Sequence, residues 1–251
     1  MSKTKKITIS ILAVFFVIAL CAIFLYPRYV TSPETSNTNQ TTTTETAITA
    51  VDKQINYKES PFNIEITYPE IAGLDDFNQK ARNIIDTEIS NFKTNSLEND
   101  AAVKETDPVN YADYPREYDL IISYSKGEID NETVSVVFNV YNFEGGAHGA
   151  TYFIPLNYNI NTKQIIKLAD LFPGQSDYLQ KISETCIKDL TTQISATMGE
   201  YMDVSWISEG AGPKEENYST FLINKDNIVF YFPQYQVAPY VAGDFRVVIP
   251  K

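Results

Sequence analysis

The chain has 251 residues, 43% of them hydrophobic, enough for one domain of about 200 residues beside an anchor and linker, or for two small ones sharing a sheet. Its formal charge is -12, and because the first thirty residues hold Lys3, Lys5, Lys6 and Arg28 and no acid, the other 16 basic residues face 32 acidic ones. That excess repels nucleic acid and leaves cationic partners open, while two cysteines, Cys21 and Cys186, imply no disulfide framework.

Ile7 to Tyr26 runs for 20 residues without a charge, long enough at about 1.5 Å per residue to span a bilayer core of about 30 Å. Three lysines precede it and one arginine follows, so the positive-inside bias keeps residues 1–6 in the cytoplasm and exports the rest. A cleaved signal peptide would need a shorter apolar run, and Ala22-Ile23-Phe24-Leu25 carries this one past any cleavage site; Leu20 is too large for a lipoprotein site before Cys21. The expected location is the cell membrane, single-pass, with the C-terminal part extracytoplasmic. Residues 31–50, rich in Thr, Ser and Asn, read as a flexible linker.

Residues 51–145 form the first half of the exported part. Phe62 to Tyr68 alternates apolar and polar and reads as a strand. Asp75 or Asp76 can cap a helix whose stripe is Phe77, Ala81, Ile84, Ile85, Ile89 and Phe92, and 93–115 shows no period and reads as loop. Tyr118 to Ser125 and Thr133 to Phe143 are strands, the second apolar on both faces and therefore central. Residues 146–251 form the second half: a strand from Ala150 to Ile160, a turn into Lys163–Lys167, and a helix from about Ser176 to Met198. Tyr178, Ile182, Cys186, Leu190, Ile194 and Met198 recur there every fourth residue. A hairpin of Ser219–Ile223 with Asn227–Phe232 and a last strand, Phe245–Ile249, complete it. The expected fold is α+β: two similar halves, each a helix packed on an antiparallel β-sheet, behind one N-terminal transmembrane helix.

Two stretches carry candidate function. Phe143-Glu144-Gly145-Gly146-Ala147-His148-Gly149 holds the only histidine. It reads either as a wide turn whose glycines take positive φ while His148 bonds to backbone, or as a contact for a ligand or partner. An imidazole is also the usual general base or metal ligand, but a catalytic zinc normally takes three protein ligands, often two of them histidines. Ser176 lacks the second glycine of a nucleophile elbow, and Cys186 sits on an apolar helix face where burial suppresses the thiolate. No catalytic residue, metal ligand or cofactor is assigned. The second stretch, Phe230 to Gly243, sets aromatics around Pro233 and Pro239, and tyrosines on a rigid loop offer contact area at low entropy cost. The candidate binding residues are Glu144, Gly145, Gly146, His148, Tyr235, Gln236, Pro239 and Tyr240.

Glu144-Gly145-Gly146-Ala147-His148-Gly149, the strand after it, Asp170-Leu171-Phe172 before a helix, and Phe232-Pro233 through Gln236-Val237-Ala238-Pro239-Tyr240 ahead of Gly243 resemble the exported module of the PdaC/RsiV type. That module is a PdaC-like domain followed by an RsiV-like C-terminal domain of unknown function, and the resemblance runs from about Ile55 to Lys251. It implies a cell-wall setting with peptidoglycan, or a cationic wall-acting protein such as lysozyme, as partner. Six cytoplasmic residues leave no segment for a sigma factor, and one histidine leaves no room for the deacetylase domain that uses an aspartate and paired histidines. The leading expectation is a membrane-anchored, non-catalytic binding module; the alternative is a wall hydrolase or deacetylase using His148 and nearby acids.

Overall fold

The computed structural model describes residues 48–111, 117–199 and 203–251, so the anchor at 7–26 and the linker up to residue 47 lie outside the described residues. Among the described residues no helix is long and apolar enough to cross a membrane.

The described part of the chain has, at its start, a strand absent from the sequence reading. β1 (Ala50–Glu59) pairs antiparallel with β2 (Phe62–Ile71) along its whole length. It is an edge strand, exposed at most positions, and its chief inward apolar groups are Ile55 and Tyr57, so little alternation marks it. The chain then enters α1 (Asp75–Thr106). Asn78 closes this corner by bonding both main-chain groups of Ile71, N–H to Oδ1 at 2.8 Å and Nδ2 to carbonyl at 2.7 Å. Asp75 and Asp76 lie in the first helical turn, where acids suit the helix dipole, rather than at the cap position, which Leu74 occupies.

α1 buries Phe77, Ala81, Ile85, Phe92 and Ser96 on the sheet and continues to Thr106, with α2 (Pro108–Tyr111) after it, where a loop was expected. Its last turns touch little of the core, so no apolar stripe betrays them; Leu97, Glu98, Ala101, Ala102 and Lys104 are strong helix formers instead. The helix is a crossover, and it carries the chain back so that β3 (Tyr118–Ile129) lies parallel to β2. β4 (Thr133–Phe143), β5 (Ala150–Asn159) and the two-residue β6 (Gln164–Ile165) follow as antiparallel neighbours, giving a six-stranded sheet in sequence order. The sheet is therefore mixed, not antiparallel throughout.

The second sheet has three antiparallel strands, β7 (Phe221–Ile223), β8 (Asn227–Phe232) and β9 (Phe245–Pro250). α3 (Tyr178–Met198) covers it, burying Ile182, Cys186, Leu190 and Ile194 at the predicted four-residue spacing. α4 (Val204–Gly210) packs nearby. The halves are thus unlike in size, and the division at 145/146 falls inside the larger sheet, because the hairpin closing β4 onto β5 is local and pairs ten residues.

One face of the six-stranded sheet carries Ile64, Ile66, Leu120, Val136 and Val140 against α1. From the other face Val137 and Phe153 meet Leu222 and Tyr231 of the smaller sheet, so the layers run α1, large sheet, small sheet, α3. This explains why β4 is buried on both sides from Val134 to Phe138. A polar seam crosses the junction of the sheets. Ile223 N–H donates to Ser135 Oγ at 2.7 Å, the Ser135 hydroxyl donates to Asn157 Oδ1 at 2.6 Å, and Asn157 Nδ2 donates to the Phe221 carbonyl at 2.9 Å. Ser135 and Asn157 are 0% and 2% exposed, so β7 meets β4 and β5 through side chains where no strand pairing is possible.

Candidate functional site

The turn between β4 and β5 and the loop from β8 to β9 meet at one end of the layers. In the turn Gly145 and Gly146 both take φ of 99°, a conformation that favours glycine, and this swings His148 outward. Its ring stacks on Tyr240 with centroids 3.8 Å apart and planes at 23°. The Gly149 carbonyl accepts twice, from the Tyr240 hydroxyl at 3.1 Å and from His148 Nδ1 at 3.0 Å. Since a carbonyl can only accept, Nδ1–H is the donor in this contact.

The partner loop is held from three directions. Thr151 N–H donates to Gln234 Oε1 at 3.2 Å, Trp206 Nε1–H donates to the Tyr235 carbonyl at 3.0 Å, and Gln236 Nε2 donates to the carbonyls of Gly210 and Asn217 at 2.8 and 2.9 Å. Tyr235 adopts a positive φ of 70° and lies 5.7 Å from Tyr240, with its side chain about half exposed. Pro239 leads into the short turn Tyr240–Ala242. His148, Tyr240 and Tyr235 therefore form a row of three rings at the surface, the first two bonded to the Gly149 carbonyl and the third carried on a loop whose main chain Trp206 holds.

The expected residues divide on this geometry. His148, Tyr235, Pro239 and Tyr240 come together, and Gly145 and Gly146 shape the turn behind them. Gln236 faces inward as a strut. Glu144 turns the other way, its carboxylate accepting from Asn142 Nδ2 at 2.9 Å and Asn95 Nδ2 at 3.4 Å, while Asn99 on α1 bonds its carbonyl at 3.1 Å. Partial burial, with the charge of Glu88 added, holds the Glu144 carboxyl above the usual carboxylate range against the opposing effect of the two amides. Glu88 itself accepts from the Tyr152 hydroxyl, which burial and that carboxylate push well above the usual phenol range. Two aromatics missing from the sequence assignment flank the row: Trp206, and Tyr141, whose phenol lies so close to Gly149 that an added Cβ would sit 2.5 Å from it.

Elsewhere, burial pushes the Cys186 thiol up to about 12, which leaves it un-ionised near neutrality. Among the described residues no group of three or more His, Cys, Asp or Glu is placed to hold a metal ion.

A family model described as Deacetylase PdaC matches residues 55–151, and one described as Protein of unknown function (DUF3298) matches residues 169–251. The chain carries a PdaC domain followed by a DUF3298 domain. The order is the one that the resemblance implied. Peptidoglycan-N-acetylmuramic acid deacetylase PdaC of Bacillus subtilis (strain 168) is 29% identical over 190 residues, which are 76% of this chain and 38% of that protein. Esterase Rv3036c of Mycobacterium tuberculosis (strain ATCC 25618 / H37Rv) is 28% identical over 128 residues, 51% of this chain and 53% of that protein. The chain thus spans from under two-fifths to about half of these relatives' length. Among solved structures, a DUF3298 family member from Bacteroides fragilis aligns over 81% of this chain and 88% of its own, at a TM-score of 0.48 and 19% identity. Placed on the domain matches, Glu144 and His148 belong to the PdaC domain, and Tyr235 and Tyr240 to the DUF3298 domain. The ring row is built across the two.

Proposed function

We propose that this chain is a membrane-anchored, extracytoplasmic cell-wall module that holds peptidoglycan on the rings of His148, Tyr240 and Tyr235 without turning it over. The observation that carries the reading is the row itself: three surface rings, two of them stacked at 3.8 Å and both bonded to the Gly149 carbonyl, so that these two lose little side-chain freedom on binding. The apolar C–H faces of a pyranose pack on electron-rich ring faces, and clustered exposed aromatics are the usual mark of a binding surface. The wall as the place of action rests on the name of the Bacillus subtilis relative, a peptidoglycan deacetylase. The non-catalytic part rests on geometry: His148 Nδ1 is engaged by the Gly149 carbonyl and Glu144 is tied to α1, so the nearest acid in sequence does not orient the imidazole.

The test is co-sedimentation with insoluble peptidoglycan. Wild type sediments, and Tyr240→Ala or Tyr235→Ala weakens retention about tenfold each, the effect of removing a buried aromatic contact. Wild type remaining in the supernatant would overturn the reading. Retention on immobilised lysozyme instead, lost in the same variants, would reassign the row to a cationic protein, and wall-modifying turnover abolished by His148→Ala would replace binding by catalysis.

A further inference from the structure

A cavity of about 590 Å³ opens beside the sheet junction, well inside the range of small-molecule sites, and shares no lining residue with the ring row. Its walls are Pro155, Ile165, Ile166, Leu168, Tyr218 and Phe221, and Ile165 on the rim is 45% exposed although apolar. Lys167 and Ser219 lie at the lining with Glu215 and Glu216, exposed charges of both signs around an apolar interior.

The two buried polar side chains bordering the interior, Asn157 and Tyr218, are already used. Asn157 accepts from Ser135 and donates to the Phe221 carbonyl, and the Tyr218 hydroxyl donates to the Ala211 carbonyl. Main-chain groups beside the cavity are bonded within the protein: Ile166 N–H donates to the Asn157 carbonyl, Lys167 N–H to the Asp170 side chain at Oδ2, and the Lys167 and Ala169 carbonyls accept from the amides of Asp170 and Phe172. A peptide laid in this site would leave its own amides without these partners, which is costly away from water. A hydrocarbon tail makes no such demand. We propose that this cavity binds the acyl chain of a single-tailed lipid, with the polar head outside beside Lys167, Glu215 and Glu216.

The site is separate from the wall-binding row, so each can fail alone. The experiment is calorimetric titration of the purified full chain in detergent-free buffer with monoacylglycerols of increasing tail length, below their critical micelle concentrations. Burial of each added methylene tightens binding about fourfold, with one ligand per chain, until the tail outgrows the cavity and affinity levels off. Ala169→Trp and Ser219→Trp, both at exposed lining positions, fill the cavity and abolish binding while peptidoglycan retention is unchanged. Affinity independent of tail length, a stoichiometry above one, or full binding by both tryptophan variants would overturn the assignment.

Discussion

Removing the Ser135 hydroxyl tests how the two sheets are joined. Ser135→Ala leaves the Ile223 amide without its acceptor and Asn157 Oδ1 without its donor, at a junction where Ser135 is 0% and Asn157 2% exposed, so water cannot replace either. An orphaned buried donor costs about 1–3 kcal/mol, and the weakened Asn157 acceptor adds a smaller amount, for a total of about 3 kcal/mol. With a urea slope of about 2 kcal/mol/M, the midpoint falls by about 1.5 M. The assay is equilibrium unfolding followed by tryptophan fluorescence and by far-ultraviolet circular dichroism, and the double variant with Asn157→Ala completes a cycle. Because the two side chains share one network, the double variant should cost at least 1 kcal/mol less than the sum of the singles. A loss under about 0.5 kcal/mol for Ser135→Ala, or strict additivity, would refute the seam as a coupled buried network.

Two further outcomes follow. A Cβ at Gly210 would fall 1.8 Å from the Gln236 carbonyl oxygen, so Gly210→Ala must shift the backbone beneath Tyr235; unfolding measurements should show a loss of about 1–3 kcal/mol together with weakened peptidoglycan retention, and wild-type stability would contradict so close an approach. The Glu144 carboxyl is raised in the folded state, so the folded chain holds that proton longer than the unfolded one: its contribution is complete below the ordinary carboxylate value of 4.5 and fades as pH rises through the raised one. Melting curves at stepped pH should therefore show Glu144→Gln gaining on wild type from acid toward neutral pH, and the opposite drift would disprove the assignment.

What could be read from residues alone followed from how completely each element is buried. α3 shows its stripe because one whole face meets the small sheet, and β4 shows apolar groups on both faces because it lies between two layers. β1 and the far half of α1 escaped notice because edge and overhanging elements have little core to face, and the parallel β2–β3 pairing depends on where α1 delivers the chain. His148 and Tyr240 could each be singled out, one as the sole histidine and the other within a proline-framed aromatic loop. Their stacking could not, since Tyr240 and Gly149 are 91 positions apart. The inward turn of Gln236 and the attachment of Glu144 to α1 are equally tertiary: a polar side chain advertises hydrogen-bonding capacity but not its partner.

The row of rings has no owner in either domain taken singly. A fragment ending near residue 151 would keep the imidazole and the Gly149 carbonyl, and a fragment starting near 169 would keep both tyrosines, yet neither would present a stacked pair. Occupancy of the row is thus linked to the docking of the small sheet on the large one, and a ligand present at a hundred times its dissociation constant would hold the halves together by about 2.7 kcal/mol. Shuffling this surface into another protein would require moving both domains together, so the tandem is its smallest heritable unit.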